Sequence, residues 1–293
     1  MAEPSPIYNF YHVIRQQPMR YRQFTFDELL IAEFSCPLES DLQAMWSHHN
    51  YFVYVLDGKK RWHTHSGAYD VLKGNCIFVR KGATFVEQFF DAEFCVILLF
   101  LPDEFICDAL RAVAPQEFPR QETHAPVLPI ETDATLEAFF HSMMSYFARM
   151  QPPDRALLEL KFRELLLTAT ANPKNRELQA YFCSLLKGPQ ASTLRQVMES
   201  NFCFNLSLEE YAQLCSRSLS AFKRDFQKMY GTTPGKWLLG KRLALAGELM
   251  RNTDKTVSEV AYESGFENLS HFSRVFRSHF GAAPAAWRSR QAV

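Results

Sequence analysis

Gly265-Phe-Glu-Asn-Leu-Ser-His-Phe-Ser-Arg-Val-Phe-Arg-Ser-His-Phe-Gly281, with Pro284 and Trp287 behind it, is a stretch the chain uses twice. Fifty residues upstream the same order recurs: Leu219/Leu269, Ser220/Ser270, Phe222/Phe272, Arg224/Arg274, Phe226/Phe276, Gly231/Gly281, Pro234/Pro284 and Trp237/Trp287, eight identities in nineteen aligned positions. The segments ahead of the two copies also correspond, Ser207 to Ala212 against Thr256 to Ala261, at a spacing of 49, so the second copy has one extra residue in its turn. A fixed period means one supersecondary unit built twice. Each copy reads as a short helix, a turn and a second helix.

In the first copy Ser207, with Glu210 three residues on, is a capping box that starts a helix at Leu208. The helix ends near Leu214, Cys215-Ser-Arg217 makes the turn, and Ser218 caps a second helix that runs to about Tyr230 and is closed by Gly231 and Pro234. Leu219, Phe222, Phe226 and Tyr230 fall on its inward face, leaving Ser220, Ala221, Lys223, Arg224, Gln227 and Lys228 outward. In the second copy Thr256 is the first cap, Ser264-Gly265-Phe266 is the turn, with Gly265 in a left-handed conformation, and Asn268 caps a helix to about Phe280. Here Leu269, Phe272, Phe276 and Phe280 face in, and Ser270, His271, Ser273, Arg274 and Arg277 face out. Small polar groups followed by cations are what a helix in the major groove of duplex DNA needs. The pattern therefore predicts helix-turn-helix units at 207–230 and 256–280. Gly235 to Arg251 is predicted as one connecting helix, ~25 Å long, a strut able to set two reading helices about one turn of DNA apart, ~34 Å.

The charge distribution agrees. The 293-residue chain has 32 basic and 32 acidic side chains, but from Gly188 onward 14 Lys and Arg face 9 Asp and Glu, against 18 and 23 before it. A basic end on an acidic body is expected when only one part meets phosphates.

Upstream the pattern changes. Tyr51-Phe-Val-Tyr-Val-Leu56, Cys76-Ile-Phe-Val79 and Phe94-Cys-Val-Ile-Leu-Leu-Phe100 are short apolar runs, separated by turns at Asp57-Gly58, Ser66-Gly67, Lys73-Gly74-Asn75 and Lys81-Gly82. They predict an antiparallel sandwich or small barrel. Helical periodicity takes over from Asp133 to Met150 (Leu136, Phe139, Phe140, Met143, Phe147) and from Asp154 to Thr170 (Leu157, Leu160, Phe162, Leu165, Leu166), the two segments broken apart by Pro152-Pro153. A third helix is expected from Glu177 to Lys187, then a linker at Gly188-Pro189. Surface-facing apolar positions on these helices either pair with a second subunit or cover one side of the barrel.

Seven cysteines (36, 76, 95, 107, 183, 203, 215) without a Cys-x-x-Cys indicate neither a disulfide framework nor a zinc site; they read as small buried residues in a reducing compartment. Glu3, Pro4 and Pro6 with no apolar segment argue against a secretory signal. The longest apolar run, ending at Pro102, is too short for a membrane span.

At this point the residues carry a family resemblance. Gly265 to Gly281 with Pro284 and Arg288, and Ser218-Leu-Ser-Ala-Phe-Lys-Arg-Asp-Phe226 with Gly231, Pro234, Trp237 and Arg242, resemble the two motifs of the AraC/XylS transcription regulators over about residues 192–290. The resemblance implies a bacterial, cytoplasmic, sequence-specific DNA-binding protein, an activator as most of the family are, whose helix-turn-helix units read adjacent major grooves of promoter DNA and which contacts RNA polymerase. It assigns base-edge contacts to Ser220, Ala221, Lys223 and Arg224, and to Leu269, Ser270, His271, Ser273 and Arg274; Leu269 departs from the polar residues often found there but can meet a thymine methyl. The outward Gln227, Lys228 and Arg277 complete the expected DNA-binding set. Arg224 and Arg274 could instead brace the fold through an internal carboxylate, and His271 could pack beside the turn; Trp237 and Trp287 are assigned to the core.

The strands resemble the family's cupin-like sensory domain. Metal cupins hold their ion with two His and a Glu on one strand and a later His. Here His48 and His49 fall near the first positions, but Asn50 and Tyr51 stand where the Glu belongs and Phe85 where the last His belongs. His63-Thr-His65 with Asp70 is a second partial match on an expected hairpin. No metal and no cofactor is assigned, and no catalytic set has a supporting context, so an enzyme is not expected. Gly231-Thr-Thr-Pro-Gly-Lys236 is too short between its glycines for a phosphate loop. The Phe-rich interior either holds a small organic effector, is filled by its own side chains, or belongs to a domain that docks a regulatory protein.

The expectation is an α+β chain with a cupin-like antiparallel β-barrel at 1–130, a helical dimerisation or linker segment at 131–187 and an all-α DNA-binding domain at 188–293. Its expected function is a DNA-binding transcriptional regulator, with double-stranded promoter DNA as partner and a homodimer as one available state. The alternative is a cupin-type metal-binding protein or enzyme with a regulatory tail.

Overall fold

The computed structural model describes residues 7–35, 42–64, 67–88, 94–111, 124–149, 152–186 and 191–291. Cys36, His65 and the Gly188-Pro189 linker lie outside them. The chain divides into two compact units, one spanning Ile7–Ser192 and the other built from Thr193 onward.

The first unit runs β1 (Tyr8–Asn9), α1 (Phe10–Gln16), β2 (Arg22–Phe26), β3 (Leu29–Ser35), β4 (Leu42–Ser47), β5 (Asn50–Asp57), β6 (Lys59–Thr64), β7 (Gly67–Leu72), β8 (Cys76–Val79), β9 (Gly82–Gln88), β10 (Cys95–Leu101), α2 (Asp103–Arg111), β11 (Val127–Ile130), α3 (Ala134–Arg149), α4 (Arg155–Ala171) and α5 (Arg176–Leu186). The strands form two sheets, ordered β1-β4-β9-β6-β7 and β11-β8-β5-β10-β3-β2. The expected cupin-like barrel is thus two facing sheets that do not close on each other. All pairings are antiparallel except β1 with β4.

The inner strands of the six-stranded sheet are buried on both faces. Phe52, Tyr54, Phe78, Ile97 and Leu99 pack against Ile106, Phe140, Phe162 and Tyr181 of the helices. Their alternates Tyr51, Val53, Val55, Leu98 and Phe100 pack against the other sheet and α1. A strand covered on both sides has no polar face, so β5 and β10 read as continuous apolar runs. The cavity between the sheets, bordered by Phe10, Phe34, Trp62 and Phe94, is about 20 Å³, room for about one water molecule. At this place, among the described residues, the space between the sheets is filled by side chains.

On α4 the apolar residues named at helical spacing do not share one face: Leu157 and Leu160 are 41 % and 61 % exposed, while Phe162, Leu165 and Leu166 are buried together with Leu158. Apolar residues crowd both faces of this helix, so periodicity alone did not select the inner one; Leu158, Phe162, Leu165, Leu166 and Ala169 face the core.

Asn50 opens β5 fully buried. Its Nδ2 donates to Asp103 Oδ1 at 2.7 Å, and its Oδ1 accepts from the Tyr181 hydroxyl at 2.9 Å and the Lys81 amide at 3.1 Å. Lys81 Nζ in turn sits 2.6 Å from Asp103 Oδ2, with the lysine side chain 8 % exposed. One amide therefore ties β5, the β8–β9 turn, α2 and α5 together.

His48 and His49 form the β4–β5 turn under Tyr11, their ring centroids 5.0 and 4.6 Å from its ring, and Asn9 bonds His48 Nδ1 at 3.1 Å. Among the described residues no group of three metal-ligating side chains comes together. His63 sits 2.7 Å from Glu87, and Asp70 pairs with Arg61, so that partial match is an ordinary cross-strand network. Burial and the nearby cations pull the His49 pKa down to about 3 and that of His48 to about 4; burial and Arg80 pull His124 down to about 4. These imidazoles are neutral when folded and take up protons from about pH 6.5 downward when unfolded. The first unit should accordingly lose stability as pH falls from 6.5 toward 4, by about 2 kcal/mol at pH 5 for each of the two most buried, His49 and His124. Thermal melts across that window check this; a midpoint that does not move would contradict it.

The second unit contains α6 (Ala191–Asn201), α7 (Leu208–Leu214), α8 (Leu219–Tyr230), α9 (Pro234–Asn252), α10 (Val257–Glu263), α11 (Leu269–Phe280) and α12 (Pro284–Gln291). Both capping boxes are present, Ser207 with Glu210 and Thr256 with Glu259. Bonds from Thr256 hold the Glu259 carboxyl below its usual range. Gly231 and Gly281 end α8 and α11 in the left-handed conformation. The connecting helix α9 is longer than expected, 19 residues or ~28 Å, because Thr233 and Pro234 start it one residue earlier and Asn252 extends it one residue later.

The two halves of this unit touch directly. Arg242 of α9 donates Nε to Phe202 O at 2.7 Å and Nη2 to Phe204 O at 2.8 Å, pinning the loop ahead of α7. Against that loop lies Gly265, φ +87°, where a Cβ would stand 2.6 Å from Cys203 O and 3.0 Å from Arg242 Nε. The strut is therefore one member of a three-way contact that also includes the turn of the second helix-turn-helix.

Candidate nucleic-acid interface

Helices α8 and α11 are built alike. Phe222 and Phe226, and their counterparts Phe272 and Phe276, are fully buried. Each pair is closed from behind by a Trp: Trp237 lies 5.9 Å from Phe226 and Trp287 5.6 Å from Phe276. Trp287 is in the core as expected; Trp237 is only half-buried. Fixing the phenylalanines inward turns the opposite face of each helix to solvent.

On α8 the outward set is Ser220, Lys223, Arg224, Gln227 and Lys228, all exposed, with Ala221 half-buried. On α11 Leu269, Ser270, His271, Arg274 and Arg277 are exposed and Ser273 half-buried. Leu269, which periodicity placed inward, is 38 % exposed: it occupies the first turn, beyond the Phe266–Phe272–Phe276 stack. His271 has its amide capped by Asn268 Oδ1 at 2.9 Å, while its side chain stays exposed.

The charges on the two faces are segregated. The only acid on α8 is Asp225, and α11 has none; four of the unit's nine acids, Glu209, Glu210, Glu259 and Glu263, lie in the first helices of the two copies. Arg217 in the first turn donates to Asp225 at 2.5 Å and is 15 % exposed. Arg224 reaches the other Asp225 oxygen only at 3.3 Å while 75 % exposed. The internal brace in the first copy is therefore Arg217. Lys241 and Lys255 are held by Glu199 and Glu263. Among the described residues Lys223, Lys228, Arg274 and Arg277 have no carboxylate within 4 Å.

Sequence reasoning missed three participants. The Arg217–Asp225 clamp has no equivalent in the second copy, where Phe266 and Val275 stand at those positions. Ser216 takes the left-handed conformation, φ +53°, at the place Gly265 fills later. Arg242, noted only as part of a motif, joins the two halves.

Two family models match the chain, an ExsA N-terminal regulatory domain at residues 50–181 and a helix-turn-helix domain at 211–290. The virulence regulon transcriptional activator VirF of Yersinia enterocolitica is 26 % identical over 238 residues, covering 80 % of this chain and 87 % of that one. The HTH-type transcriptional regulator ExsA of Pseudomonas aeruginosa is 24 % identical over 243 residues (82 % and 85 %). The HTH-type transcriptional activator RhaS of Enterobacter sp. is 27 % identical over 254 residues (81 % and 84 %).

Proposed function

Because this chain belongs to the AraC/XylS family of helix-turn-helix transcriptional regulators, we propose that it is an activator in the bacterial cytoplasm that reads promoter DNA with α8 and α11 in adjacent major grooves. The observation that carries the reading is the set of unpaired cations on two equivalent helix faces, each placed behind small polar residues. Ser220, Ala221, Lys223 and Arg224, and Leu269, Ser270, His271, Ser273 and Arg274, meet base edges; Gln227, Lys228 and Arg277 meet the flanking phosphates. Leu269 is placed for a thymine methyl. No helix among the described residues is long and apolar enough to cross a membrane.

Control passes through the first unit. The cavity described between its sheets, about 20 Å³, is too small to hold an organic effector, which favours a regulatory protein docking on the surface over a small molecule at that place. Leu157, Leu160 and Leu167 lie exposed along α4 and are the face on which two copies pair. Contact with RNA polymerase completes the activator's role.

Titration of the full chain against duplex from upstream of its own gene tests the reading. Binding should weaken by about a thousandfold between 50 and 200 mM salt, as six or more neutralised phosphates require, and should favour that duplex over unrelated DNA. Binding that ignores both salt and sequence would refute it.

A further inference from the structure

A cationic island lies on the first unit. From Ile7 to Phe26 the chain carries three arginines, Arg15, Arg20 and Arg22, and no acid, although acids outnumber bases 23 to 18 before Gly188. The three fall between the last turn of α1 and the start of β2, all exposed. This stretch is folded back on itself: Gln23 Nε2 donates to Ile14 O at 2.7 Å and the Tyr21 amide to Gln17 O at 3.1 Å. At its tip Met19 is 100 % exposed. We propose that this loop docks an acidic segment of a regulatory protein, one that also brings an apolar side chain to cover Met19. The proposal rests on the reading that a protein docks on the first unit, and gives that protein a place and a chemistry.

The arginines are held ready for a carboxylate from outside. Among the described residues neither Arg15 nor Arg20 has a carboxylate within 4 Å. Arg15 Nη1 donates to the Tyr11 hydroxyl at 2.7 Å, and Arg20 lies 5.6 Å from the centre of the Tyr21 ring. Both tyrosines are buried, and the Tyr21 ring stacks on Phe34 at 5.1 Å. Rings fixed in the core steady the guanidinium groups, so less side-chain freedom is lost on binding. Arg22 is shared, 2.8 Å from Glu33 yet 62 % exposed, and the next acid along the chain, Asp27, pairs with Arg155. Three cations on one short loop repel each other, and an acidic partner relieves that repulsion. Met19 decides for a protein over a nucleic acid. Arginine, tyrosine and methionine together are the enriched residues of protein–protein contacts, whereas a phosphate strand sets nothing apolar against a methionine.

The test places a photoreactive benzophenone side chain at position 19 of the full chain in its native host, alone and together with Arg20→Glu or Arg176→Glu. Arg176 is the exposed first residue of α5, where an acid favours the helix, so this variant makes the same charge change on another element. Irradiation should yield an adduct to a protein segment rich in Asp and Glu. Arg20→Glu should lower its yield about tenfold, Arg176→Glu should leave it unchanged, and both variants should bind the upstream duplex as wild type does. No adduct, an adduct to DNA or to a neutral or basic segment, or a yield that the two variants change alike would each overturn the island. A partner that still associates with the Arg20→Glu chain would leave the docking reading standing without it; a wild-type chain with which no protein associates would defeat that reading itself.

Discussion

Replacing Gly265 by alanine is expected to lower the stability of the C-terminal unit by about 2–5 kcal/mol, the sum of a left-handed backbone and an overpacked contact. The φ of +87° disfavours any side chain, and the new methyl would lie 2.6 Å from the Cys203 carbonyl, a backbone atom that cannot step aside. A loss of this size is a large share of the stability of a domain of about 100 residues. Gly231 and Gly281 provide the scale: both have positive φ but open space around them, so Gly231→Ala and Gly281→Ala should each cost only about 1–2 kcal/mol. Ser216, at φ +53° in the first turn, should respond oppositely, with Ser216→Gly neutral or slightly stabilising. Hydrogen exchange locates the damage. In Gly265→Ala, protection should fall in the loop before α7 and in the α10 turn together, because those backbones touch, and should be unchanged in residues 7–186. Loosening confined to the second turn would show that the two halves are coupled only through α9.

The second large effect belongs to the first unit. Asn50→Ala should destabilise it by about 3 kcal/mol, because the Tyr181 hydroxyl, the Lys81 amide and one Asp103 oxygen all lose a buried partner while nothing apolar replaces them. Removing the charge at Lys81 tests the same joint from another side: Lys81→Met strands Asp103 inside the fold, and breaking a buried pair in this way costs about 3–5 kcal/mol. Chemical denaturation followed by exchange at α2 and α5 reads both. An Asn50→Ala chain that melts like wild type would mean water replaces the amide and the joint is not a determinant of the unit.

Much of the C-terminal unit was legible in the sequence because its signals are local. Caps lie three residues from their partners, the phenylalanines recur at helical spacing, and the repeat supplies every inference twice. The upstream unit was harder for physical reasons. The continuous apolar runs of β5 and β10 were read as strands, but a strand covered on both faces lacks the alternation that would say which face meets the second sheet and which the helices. On α4, adjacent leucines on opposite faces left the phase undetermined: Leu157 and Leu160 belong to the outer face and Leu158 to the inner one. Asn50 was weighed only as a missing metal ligand. Its partners at 81, 103 and 181 are brought together by tertiary structure and leave no local trace. The Arg217–Asp225 clamp escaped for the opposite reason: comparing the copies stresses what they share, and this pair exists in only one.

That difference bears on function. The copies share their phenylalanines, glycines, prolines and tryptophans, which build the scaffold, and differ at Ala221 against His271, Lys223 against Ser273 and Asp225 against Val275. Two halves with one scaffold and different outer faces are expected to read unlike half-sites. The most direct measurement is a base-pair substitution scan of the bound promoter duplex by wild type, Lys223→Ala and Arg274→Ala. The account predicts that each variant loses about 1–3 kcal/mol of discrimination at one or two base pairs, with the two sets about ten base pairs apart and different in sequence. If both variants weakened every duplex equally and left the preference profile intact, these side chains would be holding phosphates only, and the claim that α8 and α11 read the sequence would fail.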